Sequence, residues 1–281
     1  MEVFKNIKEI RTFINNAVKD GKTIGFVPTM GFLHEGHMSL VKNSKLHNNI
    51  TVMSIFVNPT QFVEGEDYDK YPRDFERDLE IARQNFVDAV FIPETGEIYP
   101  DGFNTSVTVS GITDRLCGVS RPGHFRGVAT IVNKLFNIVK PDRAYFGQKD
   151  AQQALVIEKM AKDLNMEIEI VVCPIIREKD GLAMSSRNKY LDKNERKSAV
   201  AISRSLFKAE EAIKNGVREK VKIMELIKTT ILSEKTMGID YIEVLNAHTL
   251  EDINSIKGGI IIAVAVRIGQ TRLIDNIILE V

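Results

Sequence analysis

The sequence predicts an α/β protein, with a doubly wound, Rossmann-like parallel sheet followed by a smaller C-terminal α+β domain. Apolar runs of strand length alternate with amphipathic helix patterns as far as residue 176, which is typical of a parallel sheet covered on both faces. Beyond Arg187 the pattern changes to two long helices followed by three apolar runs. A chain of 281 residues, 43% of them hydrophobic, has room for one large domain or for two. The change of pattern favours two, which we place at 1–176 and 177–281.

The first domain is predicted to open with a helix over 7–18, which Asp20 and Gly21 end. Strands are predicted at the β-rich apolar runs 23–27, 50–57, 89–93, 143–146 and 168–173. Helices are predicted between them, one beginning near His37 and the others at 74–84, 128–139 and 152–164. Residues 93–127 are rich in Gly and Pro, so we expect an irregular segment with a functional or mobile role.

The second domain begins with a helix that has its own start signal. Asp192 followed by Glu195 is a capping-box pattern, and Asn215-Gly216 ends the helix. A second helix is predicted over 217–233. Strands are then predicted at 241–245, 260–266 and 273–279, with Gly269 in the last turn. Two helices followed by a small sheet indicate an α+β domain.

Composition argues against several classes of partner. Lys plus Arg equal Asp plus Glu at 38 each, so no general attraction to nucleic acid or to an anionic membrane is expected. No run of about 18 apolar residues occurs, and the first residues lack the apolar core of a signal peptide. Cys117 and Cys173 do not suggest a disulfide framework. We therefore expect a cytoplasmic protein with small-molecule substrates, no nucleic acid and no membrane.

The stretch 24–40 predicts a strand that breaks abruptly into a helix. Pro28 interrupts the strand, Gly31 and Gly36 allow a tight turn, and His34 and His37 lie on the corner. A helix start offers unpaired N–H groups and the positive end of the helix dipole, which suit a phosphate. One of these histidines alone would more often be a cap or a solvated side chain. A zinc cage is disfavoured, because the two histidines are three residues apart and no Cys or third His stands nearby.

Polar clusters follow three other predicted strands, at 58–62, 147–153 and 184–187. Each alone reads as a turn, a solvated pair or a helix cap, but ligands of open α/β sheets lie at the carboxyl ends of the strands. Neither G-x-G-x-x-G nor the P-loop pattern occurs, and no Ser-His-Asp or Cys-His arrangement is evident. Together the clusters predict a site that stabilises charge on a phosphate and positions a small polar acid.

These residues resemble known motifs. His-x-Gly-His at 34–37 with Met-Ser-Ser-Arg at 184–187 is similar to the nucleotidylyl transferase superfamily, which includes class I aminoacyl-tRNA synthetases. A fuller set narrows the resemblance to the pantothenate synthetase (pantoate–β-alanine ligase) family over essentially the whole chain. That set comprises Pro-Thr-Met-Gly at 28–31, Phe-Val-Asn-Pro-Thr-Gln-Phe at 56–62, Tyr-Pro-Arg at 71–73, Arg-Pro-Gly-His-Phe-Arg-Gly-Val at 121–128, Gly-Gln-Lys-Asp at 147–150 and the stretch 180–188.

The resemblance implies ATP-dependent condensation of (R)-pantoate with β-alanine through a pantoyl adenylate, giving (R)-pantothenate (vitamin B5) for coenzyme A biosynthesis. It also implies Mg²⁺ and a homodimer. ATP would contact Pro28, Thr29, Met30, Gly31, Phe32, Leu33, His34, Glu35, Gly36, His37, Gly147, Gln148, Lys149, Asp150, Ile176, Met184, Ser185, Ser186 and Arg187. The catalytic residues among these would be His34, His37, Lys149, Ser185, Ser186 and Arg187. Gln148 stands where the family often carries Glu.

The remaining implied roles concern pantoate, β-alanine, metal and water. Pantoate would be held by Gln61, Gln153, Met30 and Arg121, with Gln61 also near β-alanine, and Asp78 would contact magnesium. An acyl adenylate hydrolyses easily, so we expect a lid, either 96–127 or the second domain.

Two other classes of protein could carry part of these motifs. The first is a tRNA synthetase fragment or a nucleotidylyltransferase, against which the neutral charge and the lack of an RNA-binding appendage argue. The second is an ATP-sensing module without turnover, which would release no pyrophosphate.

Overall fold

The computed structural model describes residues 1–281 and confirms the predicted fold class. Six parallel strands form one sheet: β1 (Glu2–Phe4), β2 (Ile24–Thr29), β3 (Ile50–Ile55), β4 (Ala89–Phe91), β5 (Arg143–Gly147) and β6 (Glu169–Cys173). Their order across the sheet is β1-β4-β3-β2-β5-β6. From β2 the chain builds outward to β3 and β4 on one side and later to β5 and β6 on the other, which is the doubly wound arrangement.

Helices cover both faces of this sheet. They are α1 (Ile7–Lys19), α2 (Glu35–His47), α3 (Phe75–Gln84), the short α4 (Thr95–Ile98) and α5 (Cys117–Ser120), α6 (His124–Val139) and α7 (Ala151–Asp163). On one face of β2, the Phe26 ring meets the Phe136 ring of α6 edge-on at 6.5 Å between centroids. On the other face, Val27 packs in one core cluster with Met38 of α2. Burial on both faces explains why the strands read as continuous apolar runs.

Two details of the sheet differ from the prediction. Strand β2 continues through Pro28 to Thr29. The Thr29 carbonyl accepts from the Phe56 amide on the β3 side, so the Pro28 nitrogen faces the β5 side, where pairing has already ended at Phe26. The missing N–H therefore removes no ladder hydrogen bond. Strand β1 was not predicted, because three residues at a sheet edge are too few to show a period.

The C-terminal sheet also matches the prediction. Helices α8 (Lys193–Lys214) and α9 (Lys220–Leu232) pack against an antiparallel sheet of β7 (Met237–Asn246), β8 (Gly259–Ile268) and β9 (Thr271–Glu280). Ile, Val and Leu side chains from all five elements form the core. The predicted capping box of Asp192 and Glu195 is present at the start of α8.

The chain divides into two compact units. The N-terminal unit contains Met1–Gln148 and Gln152–Pro174, and the C-terminal unit contains Lys149–Ala151 and Ile175–Val281. Three residues from the middle of the chain thus belong to the C-terminal unit. The predicted domain boundary after Ile176 and the lid role of the second domain stay predictions. None of the helices combines the length and the apolar character needed to cross a membrane.

Candidate active site

The corner after β2 is held by a buried carboxylate of α3. Asp78 is 1% exposed, and its oxygens accept hydrogen bonds from the Phe32 amide at 2.7 Å and the Leu33 amide at 2.8 Å. Gly31 has a φ of +83°, and a Cβ at this position would lie 2.9 Å from an Asp78 oxygen, so the turn requires glycine. Arg77 donates to the Leu33 carbonyl at 2.9 Å. The predicted ATP-binding loop therefore has a fixed backbone.

The same geometry bears on the magnesium contact predicted for Asp78. Burial raises the pKa of this carboxyl, and the hydrogen bonds from the loop amides oppose that shift. Because both oxygens already accept amide hydrogens, the carboxylate fits the task of holding the loop better than that of a direct metal ligand. No group of three or more His, Cys, Asp or Glu residues in 1–281 is arranged to hold a metal. The magnesium role of Asp78 stays a prediction.

His34 and His37 form a reciprocal cap at the start of α2. Nδ1 of His34 accepts a hydrogen bond from the Gly36 amide at 3.1 Å, and Nδ1 of His37 accepts one from the His34 amide at 3.3 Å. The ring centroids are 4.1 Å apart. A nitrogen that accepts a hydrogen bond carries no proton, so each neutral ring has its hydrogen on Nε2. Helix α2 begins at Glu35, earlier than predicted, because the cap is His34.

The Gln61 side chain, which follows β3, has a defined orientation. Its Oε1 accepts from Nδ2 of Asn58 at 3.1 Å, and the residue is 8% exposed. Its Nε2 donates toward Sδ of Met30 at 3.2 Å, and a thioether sulfur is a weak acceptor. Two residues predicted to bind pantoate are thus brought together. A carboxylate would be a stronger acceptor for this amide than the sulfur is.

The backbone of Gln61 is held by a partly buried ionic network. Arg121 donates to both oxygens of Glu66, at 2.5 and 2.7 Å, to Nε2 of His124 at 2.8 Å and to the Gln61 carbonyl at 3.3 Å. Arginine only donates, so Nε2 of His124 accepts, and its Nδ1 carries the hydrogen that goes to the Gln61 carbonyl at 2.7 Å. Arg121 therefore has an internal carboxylate partner that the sequence motif did not reveal. Its pantoate contact stays a prediction.

Replacing Glu66 with Gln should lower the free energy of unfolding by about 1.5–3 kcal/mol at neutral pH, the range for hydrogen bonds to a charged group. Burial alone raises the Glu66 pKa, but the hydrogen bond and charge of Arg121 bring it below the usual 4.5. The stabilisation is therefore fully present above pH 4.5 and is lost as the pH falls through the lower folded-state pKa. Urea unfolding of both proteins across this range measures the difference. Glu64→Gln, at an exposed neighbour, is the control.

Gln153 and its neighbour Gln152 lie in the first turn of α7. Gln153, predicted to bind pantoate, is partly buried there. Gln152 is 6% exposed, accepts from the Cys117 amide at 3.0 Å and donates to the Arg115 carbonyl at 2.8 Å. It thereby ties the irregular segment 93–127 to α7. This role of Gln152 was not predicted, because two adjacent amides in one helical turn give no sign of which one faces inward.

In the C-terminal unit, two residues predicted to contact ATP pair in a hairpin. The Met184 amide donates to the Ile176 carbonyl at 3.0 Å, and the chain turns through Gly181 at a φ of +95°. Directly after the hairpin, the Ser185 hydroxyl accepts from the Arg187 amide at 3.3 Å and caps a short 3-10 turn. The stretch 184–187, here called the serine loop, therefore leads into a short helical turn, as its sequence predicts.

Lys149 has a partner in β9 that was not predicted. Its carbonyl accepts a hydrogen bond from Nδ2 of Asn276 in β9 at 3.1 Å, and its Nζ lies 3.7 Å from the Asp150 carboxylate. Beside Asn276, Asp275 forms a doubly hydrogen-bonded ion pair with Arg177 at 2.6 and 3.0 Å. The signal in the sequence that could have indicated these contacts is the pair of adjacent polar residues between the apolar residues of β9.

The fold and the site place the chain in the class of doubly wound α/β proteins, with a tight corner from β2 into a helix start that is capped by two histidines. The family model described as pantoate-beta-alanine ligase matches residues 2–278. A relative from Acetivibrio thermocellus that is named pantothenate synthetase is 60% identical to this chain, and one of the same name from Caldicellulosiruptor saccharolyticus is 59% identical. Each match covers the whole of this chain and the whole of the relative. The chain belongs to the pantoate-beta-alanine ligase family.

Solved structures agree with this assignment. The pantothenate synthetase of Thermus thermophilus has a TM-score of 0.95 and 41% identity, and the match covers 99% of each chain. The pantoate-beta-alanine ligase of Francisella tularensis, complexed with beta-gamma ATP and beta-alanine, has a TM-score of 0.80 and 36% identity. That match covers 99% of this chain and 97% of the other.

Proposed function

We propose that this chain condenses (R)-pantoate with β-alanine and uses ATP, giving (R)-pantothenate, AMP and pyrophosphate. The observation that carries the proposal is the family match over residues 2–278. The Francisella tularensis relative, solved with an ATP compound and β-alanine, names two of the three substrates. The chemistry of the described side chains agrees, because they supply donors for oxyanions and amides for a small acid.

In the first step, a pantoate carboxylate oxygen attacks the α-phosphorus of ATP in line. The new P–O bond gives pantoyl adenylate, and pyrophosphate leaves with the electron pair of the broken bond. We assign the donors that stabilise the growing charge to Nε2 of His34 and His37, Nζ of Lys149, the guanidinium of Arg187 and the hydroxyls of Ser185 and Ser186. ATP would lie along 28–37, 147–150, the Ile176 backbone and 184–187.

In the second step, the β-alanine amine attacks the acyl carbonyl of the adenylate. The C–N bond forms, AMP leaves with the electron pair of the C–O bond, and the amine loses a proton. We assign pantoate binding to Gln61, Gln153, Met30 and Arg121, with Gln61 also contacting β-alanine. The Gln61 Nε2 donor directed at Met30 is the group best placed to hold a carboxylate.

Four further assignments complete the proposal, of which magnesium and the homodimer rest on the family resemblance. Magnesium would neutralise part of the charge on the ATP phosphates, and Asp78 is the residue that the resemblance assigns to its binding. The protein would be a cytoplasmic homodimer. The second domain at 177–281 would act as a lid, since the adenylate must be kept from water.

Pyrophosphate release tests the proposal directly. With ATP and Mg²⁺, the purified protein should release pyrophosphate only when pantoate is added, and AMP and pantothenate should follow on addition of β-alanine. The reaction without pantoate is the control, because it distinguishes pantoate-dependent release of pyrophosphate from the behaviour of an ATP sensor or an ATP hydrolase. Release driven by another acid or a phosphate ester, but not by pantoate, would retain the ATP site and reject the substrate.

A further inference from the structure

The polar pair Asp275-Asn276 lies in the middle of β9 between apolar residues. Both are 3% exposed. A buried Asp and Asn in a strand weaken the apolar core unless each has a specific partner. We propose that this pair positions the phosphate-binding groups of the C-terminal unit, with Asn276 as the positioning residue of Lys149. The inference rests on the proposed function, which gives Lys149 its role.

The first line of support is the contact of Asn276 with Lys149. The Asn276 Nδ2 donates to the Lys149 carbonyl at 3.1 Å. The turn at Lys149–Ala151, here called the lysine turn, is the only stretch before Ile175 that belongs to this unit, and Asn276 of β9 holds it at the Lys149 carbonyl. A fixed carbonyl fixes the direction in which the lysine side chain leaves the backbone. In active sites, misplacement by about 1 Å costs roughly 10²-fold in rate.

Asp275 acts on the neighbouring serine loop. Arg177, its ion-pair partner, stands at the base of the 176–184 hairpin and also donates to the Gly181 carbonyl at 3.1 Å. The hairpin leads directly into Ser185. The backbone amide of Asn276 donates to Oδ1 of Asp275 at 2.7 Å, which helps to orient the Asp275 carboxylate toward Arg177.

A small cavity brings these groups to one place. It has a volume of about 10 Å³, and Lys149, Ser185, Asn188 and Asp275 are among the residues that line it. Oδ1 of Asn188 is buried without a hydrogen-bond partner. Burial raises the Asp275 pKa, while Arg177 and, more weakly, Lys149 oppose the shift, so the lysine and the carboxylate interact electrostatically. One strand therefore supports both the lysine turn and the serine loop.

Asn276→Ala tests the inference in the full-length protein. We expect the first-turnover rate of pyrophosphate release, with ATP, Mg²⁺ and pantoate, to fall by ~10-fold or more. Asn246→Ala is the matched control, because Asn246 only orders a turn at the end of β7 by accepting from the His248 and Thr249 amides at 2.9 and 3.0 Å. That variant should keep the wild-type rate. If Asn276→Ala does not fold, Asn276→Ser keeps a polar residue too short to reach Lys149.

The decisive readout is the double variant with Lys149→Ala. If Asn276 acts through Lys149, adding Asn276→Ala to Lys149→Ala should lower the rate of pyrophosphate release by less than a further ~2-fold. A general structural defect would instead lower the rate of the double variant by the full effect of Asn276→Ala. An unchanged rate in Asn276→Ala and Asn276→Ser, or a full additional loss in the double variant, would overturn the inference. Failure of the proposed function is distinct, because the wild-type protein would then release no pantoate-dependent pyrophosphate.

Discussion

Replacing His37 with alanine is expected to slow pantoate-dependent pyrophosphate release by roughly 10²-fold or more, as removal of an oxyanion donor does. Nδ1 of His37 is occupied by the His34 amide at 3.3 Å, so the hydrogen of the neutral ring lies on Nε2. That hydrogen is the group assigned to the leaving pyrophosphate. The rate of the first turnover, measured with saturating ATP and pantoate, checks the expectation.

A second substitution at His37 distinguishes the loss of the Nε2 donor from the loss of the cap at the start of α2. His37→Asn keeps an acceptor at the position of Nδ1 but places nothing at Nε2, so it should preserve α2 and still lose most of the rate. His47→Ala removes an exposed histidine at the other end of the same helix and should leave the rate unchanged. If His37→Asn retained the wild-type rate, Nε2 of His37 would have no part in catalysis.

Replacing Arg177 with methionine is expected to lower the free energy of unfolding by about 3–5 kcal/mol, because it leaves a buried charge without its partner. The Asp275 side chain is 2% exposed, and Arg177 supplies both of the hydrogen bonds in its ion pair. Methionine retains much of the packing of the arginine stem. Urea unfolding followed by circular dichroism measures the change.

Two controls identify the cause of that loss. The double variant Arg177→Met/Asp275→Asn has neither charge and should recover most of the stability. Arg204→Met breaks the more exposed ion pair with Glu234 and should cost only about 0–1 kcal/mol. Equal losses in Arg177→Met and in the double variant would show that packing, and not the unpaired charge, is responsible.

The fold was predictable because its strands and helices have clear patterns of apolar residues. Strands buried on both faces appear as continuous apolar runs, and the Asp192 and Glu195 cap marks the start of α8 by local chemistry alone. The three-residue β1 lacks a period, and its strand character comes only from pairing with β4. The passage of β2 through Pro28 depends on where the neighbouring ladder ends, which a single strand does not encode.

The candidate site was predictable where its residues directly follow strands. His34, His37 and Gln61 could be found in this way. The residues that hold the site could not be found as supports, because Glu66, Asp78, His124 and Asn276 lie far along the chain from the groups they hold, which are Arg121, the 32–33 backbone, the Gln61 carbonyl and the Lys149 carbonyl. A hydrogen bond between distant residues leaves no period in the sequence. The only trace is a polar residue where an apolar one is expected, as at Asn276.

The membership of Lys149–Ala151 in the C-terminal unit limits how the protein can be dissected. A fragment that ends at Pro174 keeps this tripeptide but lacks β9 and with it the Asn276 donor. A fragment that begins at Ile175 keeps β9 but has no Lys149 to hold. Neither fragment alone contains Lys149 together with the Asn276 side chain that supports its carbonyl, so activity measured on either fragment would not report on the supported lysine.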